Sequence, residues 1–289
     1  MSPKKTNDSF SEIVREEWTA DRTVNAWRRW HKKTVPHLQQ MTQALLEAAE
    51  IASGSKVLDL ASGSGEPAVT IASLVGPQGQ VVATDLSEGM LAVARENCGD
   101  SDNIEFREAD AHDLPFADNR FDAVTCRLGV MYFWDCQRAL KEILRVLKPG
   151  GRAAFVVWGP VEKNNFARIV ISPFAKRKAS PILPPEAQHP FRFAESGSLS
   201  AALNNAGFSQ LMEQQKVVSC PWLGPPEEMW EQIYELAAPL QPFFDSFDPD
   251  ERNAAVREVI EEFGNFYDGE YTDPTTSIIV AAGIKSTSL

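Results

Sequence analysis

The spacing of apolar and polar positions changes character at two points along the chain. Over residues 10–50 apolar residues stand among charges at helical intervals, with Trp18, Trp27 and Trp30 inside the charged stretches. The run M-T-Q-A-L-L-E-A-A-E, residues 41–50, is made of good helix formers, and Ser53-Gly54-Ser55 closes it. From Lys56 short apolar runs alternate with amphipathic stretches. Strands are expected at 56–60, 80–84, 103–107, 121–126 and 152–158. Helices are expected at 66–75, ended by Gly76-Pro77; at 87–98, capped by Ser87; and at 135–147, stopped by Pro149-Gly150-Gly151. This alternation predicts a parallel sheet with helices on both faces.

The second change follows Trp158. Residues 159–195 are rich in proline (Pro160, Pro173, Pro181, Pro184, Pro185, Pro190), which suits an inserted cap of short helices. A helix at 196–206 closes at Gly207, a sixth strand falls within 208–221, and helices are expected at 225–240 and 249–266. The last apolar run, 276–284, reads as a strand that finishes the sheet as an antiparallel edge. The expected fold class is α/β: a Rossmann-like, seven-stranded, mostly parallel sheet with helices on both faces and the last strand antiparallel. Four parts are expected: an N-terminal helical lid at 1–55, the sheet core at 56–158, the cap at 159–195, and a completion of the sheet at 196–289 with an acidic helical insertion at 225–268.

Composition narrows the function. The net charge is -12, and 227–273 alone hold 14 acidic against 2 basic residues. Such a surface repels phosphate backbones, so nucleic acid is not expected as a partner. Exposed, solvated helix faces account for the acid. No apolar run reaches the roughly 18 residues that span a bilayer, and M-S-P-K-K-T-N-D-S lacks the apolar core of a secretory signal, so a cytoplasmic protein is expected. Cys98, Cys126, Cys136 and Cys220 are scattered without metal-ligand spacing, as reduced thiols would be. A metal is not expected, and a monomer and a homodimer are equally compatible with the sequence.

The candidate chemistry begins at V-L-D-L-A-S-G-S-G-E-P-A, residues 57–68. A glycine turn between strand and helix lets the backbone approach a ligand and points helix N–H groups at it. Gly63-Ser64-Gly65-Glu66-Pro67-Ala68 fits the dinucleotide pattern, but a tight structural turn looks the same. Three carboxylates bear on the choice. Asp59, just before the turn, opposes a pyrophosphate and favours a cationic group, or bonds the turn's own amides. Asp85, ending the second strand, can accept both hydroxyls of a ribose. Asp110, followed by Ala111, can read an adenine amino group, with His112 lining beside it. Leu86 and Met90 can lie against the adenine, although core packing is the commoner use of such a Met.

Taken in order, V-L-D-L-A-S-G-S-G, A-T-D-L-S-E-G-M, E-A-D-A-H-D-L-P-F, F-D-A-V-T-C-R-L-G and E-I-L-R-V-L-K-P-G-G-R resemble the motifs of class I S-adenosylmethionine-dependent methyltransferases. They look most like the branch with the ubiquinone/menaquinone C-methyltransferases and many small-molecule methyltransferases. One departure is Ala61, where the family often has glycine. The resemblance implies S-adenosyl-L-methionine as cofactor, with S-adenosyl-L-homocysteine as product. It places Ala61, Ser62, Gly63 and Gly65 along its methionine and ribose part, Asp85 on the ribose hydroxyls, Leu86 and Met90 on the adenine, Asp110 and Ala111 at the adenine edge, and Arg127 near the methionyl end.

The implied reaction is methyl transfer to oxygen or carbon of a small apolar or aromatic molecule, quinone-like or a secondary metabolite. The N-P-P-Y/F pattern that suits amino-group acceptors is absent after the fourth strand, where Cys126-Arg127-Leu128-Gly129 stands. Trp27, Trp30, Phe133, Trp134 and Trp158 are candidate pocket walls, core packing being the simpler role for each. Trp222 and Trp230 fit such a pocket as well. If the acceptor needs a general base, His189 in the cap is the first candidate, with His31 and His37 behind it. The competing readings are a non-methylating cyclase on the same cofactor, an NAD(P)-dependent oxidoreductase, and a binding module without catalysis.

Overall fold

The computed structural model describes residues 7–99, 101–178 and 189–287. Pro181, Pro184 and Pro185 of the expected cap lie outside the described residues. The chain opens with three helices, α1 (Asn7–Thr19), α2 (Asp21–His37) and α3 (Gln39–Ala49). The alternating core follows: β1 (Lys56–Leu60), α4 (Ala68–Val75), β2 (Gln80–Asp85), α5 (Glu88–Asn97), β3 (Ile104–Glu108), β4 (Phe121–Arg127), α6 (Cys136–Val146) and β5 (Leu147–Trp158). Beyond it come α7 (Asn165–Ala175), α8 (Ser198–Ala206), β6 (Ser209–Val218) and β7 (Trp222–Leu223). The chain ends with α9 (Pro226–Leu236), α10 (Gln241–Asp245), α11 (Pro249–Gly264), β8 (Tyr271–Thr272) and β9 (Thr276–Ile284).

Seven strands form one sheet in the order β3-β2-β1-β4-β5-β9-β6. β1 to β5 are parallel, and β9 runs antiparallel to both its neighbours, β5 and β6. The last strand is therefore antiparallel as expected, but it is not the edge. Its burial explains this: every residue of β9 from Thr276 to Gly283 is buried, which only an inner strand covered on both faces achieves. β6, partly or fully exposed along almost its whole length and with Val217 open to solvent, takes the edge. A second difference lies at Pro149-Gly150-Gly151. The helix does end there, but the chain is already extended from Leu147, which pairs with Phe121 before an irregularity resets the register to Arg152 opposite Ala123.

Apolar side chains cover both sheet faces. One face packs with α6 and α8, through Leu140, Ile143, Leu199 and Leu203. The other is covered by Ile71, Ala72 and Val75 of α4 and by Met41, Leu45 and Ala48 of α3. A separate aromatic cluster (Phe174, Trp222, Trp230, Phe244 and Phe263) joins α7, α9, α10 and α11 to α2. The acid of α9 is not merely solvated. Glu231 and Glu235 each pair with Arg29 of α2 at 2.8 Å, and Glu228 pairs with Lys33. Among the described residues no helix is long and apolar enough to cross a membrane.

Candidate active site

The C-terminal ends of the parallel strands open into a cavity of about 280 Å³, lined on its other sides by α1, α2, α7 and α9. One end of it is the strand-tip rim. Ala61, Ser62 and Gly63 after β1, Asp85 and Leu86 after β2, Asp110, Ala111 and His112 after β3, and Arg127 at the end of β4 all line it, with Met90 from α5. The parallel register explains the convergence: Leu60 stands opposite Thr84, and Asp85 opposite Glu108, so the three loops leave the sheet at one level.

The glycine turn is held by Asp85. Its carboxylate accepts the Gly63 N–H at 2.9 Å and the Ser87 N–H at 3.0 Å, one on each oxygen. Burial pushes this carboxyl above its usual range, against the pull of those backbone bonds. Ser87 caps α5 by accepting the Met90 N–H, which fixes the helix carrying Met90. Gly65 has φ +111°, and a Cβ there would lie 3.3 Å from the Ala94 backbone. The second glycine is therefore needed so that the turn can press against α5.

Asp110 is fixed by its neighbour. Its carboxylate accepts the His112 N–H at 2.9 Å and contacts His112 Nδ1. The Asp135 N–H donates to His112 Nε2 at 3.1 Å, so the ring proton sits on Nδ1 and points at Asp110. Burial raises the Asp110 carboxyl, but the His112 bonds and Arg15 at 3.7 Å outweigh it, and the net displacement is downward. His112 stacks on Trp134 at 4.0 Å, so it clamps one pocket residue against another.

Arg127 donates to Thr42 Oγ1 at 2.5 Å and to the Glu66 carbonyl at 3.0 Å, and among the described residues it has no carboxylate in ion-pair contact. Burial lowers its pKa, with Glu66 and Asp59 acting against that. The flanking backbone is strained: Ala61 and Leu128 take φ +54° and +59°. Gly129 must lack a side chain, since a Cβ would meet the Ala61 Cβ at 2.6 Å and Cys126 Sγ at 2.8 Å.

Apolar and aromatic walls make up most of the remaining lining, a chamber continuous with the rim. Trp158 stacks on Phe166 at 5.7 Å with 6° between the rings, Trp18 tilts against Tyr132 at 5.3 Å, and Phe133, Trp134 and Trp27 also face in. Helix α9 supplies Gln232, Ile233 and Leu236.

Seven expected site residues do not reach the cavity surface. Asp59 is fully buried, its Oδ1 taking the Thr125 hydroxyl at 2.6 Å from β4, because the strand's alternation turns it into the sheet. Burial pushes its carboxyl up to about 7 despite bonds from Thr125 and Ser62. Gly65 stands behind the turn, against α5. Trp30 is in the helical core, its indole N–H donating to Glu235 at 2.7 Å. His189 is not part of the wall: its Nδ1 accepts the Phe191 N–H at 3.1 Å, while Pro190 and Phe191 line the cavity. Trp222 and Trp230 are likewise core residues, and His31 bonds Ser64 Oγ at 2.9 Å away from the lining. The sequence reading missed Phe166, Val170 and the α9 residues. For the α9 residues the available signal was that helix's amphipathic face, read only for its acid.

A seven-stranded sheet in this order, with a glycine turn after β1 and acidic residues after β2 and β3, is the Rossmann-like architecture of class I methyltransferases. Residues 57–151 match the family described as "Methyltransferase domain", and this segment is a class I S-adenosylmethionine-dependent methyltransferase domain, S-adenosylmethionine being the cofactor of the class. The ubiquinone/menaquinone biosynthesis C-methyltransferase UbiE of Pseudomonas entomophila (strain L48) is 47% identical over 110 residues, covering 37% of this chain and 43% of that protein. The chain thus spans less than half the length of that relative. A methyltransferase structure from Bacillus halodurans is similar at 25% identity and TM-score 0.55, over 86% of this chain and 100% of that one. Phosphoethanolamine N-methyltransferase 2 of Haemonchus contortus, solved with phosphomonomethylethanolamine and S-adenosylhomocysteine, shares the fold at 18% identity and TM-score 0.56, over 98% of this chain and 61% of that one.

Proposed function

We propose that this chain transfers a methyl group from S-adenosylmethionine to oxygen or carbon of a small, largely apolar or aromatic acceptor. One observation carries the reading: a single cavity joins a charged strand-tip rim, with Asp85, Asp110 and Arg127, to an aromatic chamber. The rim suits the cofactor. Each Asp85 oxygen accepts one backbone N–H and keeps a lone pair for a ribose hydroxyl. Arg127, lacking a carboxylate partner among the described residues, suits the methionyl carboxylate. Asp110 and Ala111 suit the adenine edge, with Leu86 and Met90 against its faces.

The cofactor supplies a methyl group already activated on a sulfonium. The chain's residues then have three tasks. The turn and Asp85 fix the donor, and the chamber walls hold the acceptor nucleophile in line with the methyl carbon. Such orientation lowers a barrier by about 7–11 kcal/mol in favourable cases. Helices α1, α2, α7 and α9 shield part of the cavity from water, and faces such as Trp27, Phe133 or Trp158 favour a cation by about 1 kcal/mol each. A helical lid at 1–55 and a cap after Trp158, closing over the sheet core, are the organisation this reading assigns to the chain.

The test combines calorimetry with product mass. S-adenosylmethionine and S-adenosylhomocysteine are expected to bind and NAD is not. Incubation with a panel of hydroxylated aromatics and quinols should give products heavier by one methyl. An isomer of the acceptor would assign the chain to the cyclase reading instead, and NAD binding would overturn both.

A further inference from the structure

The buried face of α9 is Pro226, Met229, Trp230, Gln232, Ile233 and Leu236, apolar but for one glutamine. Gln232 is only 6% exposed and lines the cavity together with Ile233 and Leu236. Among the described residues its side-chain amide makes no hydrogen bond, yet neither Oε1 nor Nε2 is among the unpartnered polar atoms that are shut off from all accessible surface. Both atoms therefore keep accessible surface, and on a residue this buried that surface opens into the cavity it lines. Gln241, buried to the same degree, differs: its Nε2 donates to the Tyr234 and Glu235 carbonyls at 2.8 and 3.2 Å, and its Oε1 is shut off.

The helix that carries this amide is fixed. Glu231 and Glu235 bond Arg29 of α2, and Glu228 pairs with Lys33. Ile233 and Leu236 pack in the cluster that Trp27, Phe166 and Val170 join, and all five line the cavity. A primary amide carries an N–H donor and a carbonyl acceptor side by side. Among apolar walls, a ligand that satisfies only one of them leaves the other unpaired, which is unfavourable. The edge that satisfies both has a donor next to an acceptor: a lactam, or a hydroxyl beside a carbonyl. The carboxylates and the guanidinium that line the cavity (Glu66, Asp85, Asp110 and Arg127) belong to the strand tips and their loops, not to α9. Gln232 therefore reads this pattern whatever charge the acceptor sets against Arg127.

We infer that Gln232 is the acceptor-recognition residue of the chamber: its Oε1 receives an N–H or O–H hydrogen of the methyl acceptor, and its Nε2 donates to the oxygen beside that group. The inference deepens the methyltransferase reading and rests on it.

The test uses the full chain, labelled with ¹⁵N-glutamine and saturated with S-adenosylhomocysteine. It is titrated with 2-quinolone, whose lactam sets N–H beside C=O, and with N-methyl-2-quinolone and 2-methoxyquinoline, which lack the N–H. The Gln232 side-chain amide proton resonances, assigned by their loss in Gln232→Met, should move downfield with the lactam. Calorimetry should show the lactam binding about tenfold more tightly than either blocked analogue. Gln232→Met, close in size but without the amide, should bring the three affinities together. Should Gln232→Met not fold, the wild-type spectrum and affinity ratios still decide. Unmoved Gln232 resonances, equal affinities in the wild type, a preference that survives in folded Gln232→Met, or no binding of 2-quinolone overturns the assignment. Failure of S-adenosylhomocysteine itself to bind sinks the methyltransferase reading, and this is measured separately.

Discussion

Replacing Asp85 tests the cofactor assignment most directly. Its carboxylate has about four lone-pair directions, two of which accept the Gly63 and Ser87 N–H groups. Two remain for the ribose. A hydrogen bond to a charged group contributes about 1.5–3 kcal/mol, so losing both ribose bonds costs about 3 kcal/mol or more. That is about a hundredfold or greater rise in Kd for Asp85→Ala. Asp85→Asn keeps an acceptor oxygen but turns an amino group toward one backbone N–H, and about a tenfold loss is expected. Calorimetry at 25 °C with S-adenosylhomocysteine and with 5′-methylthioadenosine gives the readout. Both ligands carry the ribose, so both should weaken by the same factor. Circular dichroism and Tm show whether the turn survives. Because burial raises this carboxyl while ribose hydroxyls favour its ionised form, affinity should fall on acidification in the wild type and much less in the Asn variant. Unchanged affinity in a folded Ala variant, or a loss confined to one ligand, would refute the reasoning.

Arg127→Met should weaken S-adenosylhomocysteine by about ten- to a hundredfold and leave 5′-methylthioadenosine, which has no carboxylate, nearly unaffected in the same calorimeter. Asp59 titrates at about 7 in the fold against about 3.9 for a free Asp, so stability is greatest below pH 4 on its account and is lost as pH rises through 7. Thermal melts of Asp59→Asn should therefore look better relative to wild type at pH 8 than at pH 5. Ala61→Gly relieves a left-handed residue and should stabilise the fold by about 0.5–1 kcal/mol in urea melts. Gly129→Ala drives a methyl into Ala61 and Cys126 and should cost about 1–3 kcal/mol by the same measurement.

Local chemistry accounts for what could be read in advance. The alternation of apolar runs and amphipathic stretches, with Ser87 as cap and Gly76 as stop, specified the strands and helices from β1 to β5 within a few residues. Such signals live in neighbouring positions. The place of β9 did not, because a fully apolar strand suits any inner position and only pairing selects one. Asp59 and Asp85 look alike in the sequence, each a carboxylate late in a strand. Asp59 points at Thr125 on the neighbouring strand, whereas Asp85 is the last residue of β2, at the end of the strand where the chain leaves the sheet. The tryptophans divided in the same way: Trp27 and Trp158 line the cavity, while Trp30, Trp222 and Trp230 fill the helical core.

The sequence by itself determined the period of each segment, the glycine turn and the order of the acidic residues that follow the first three strands. These depend on backbone preference and on positions close together in the chain. Only the tertiary structure decided which side chains share a cavity. His37 and Gln232 come to the same wall because α2 and α9 are clasped by Arg29, Glu231 and Glu235, a contact between segments about two hundred residues apart that no local pattern encodes.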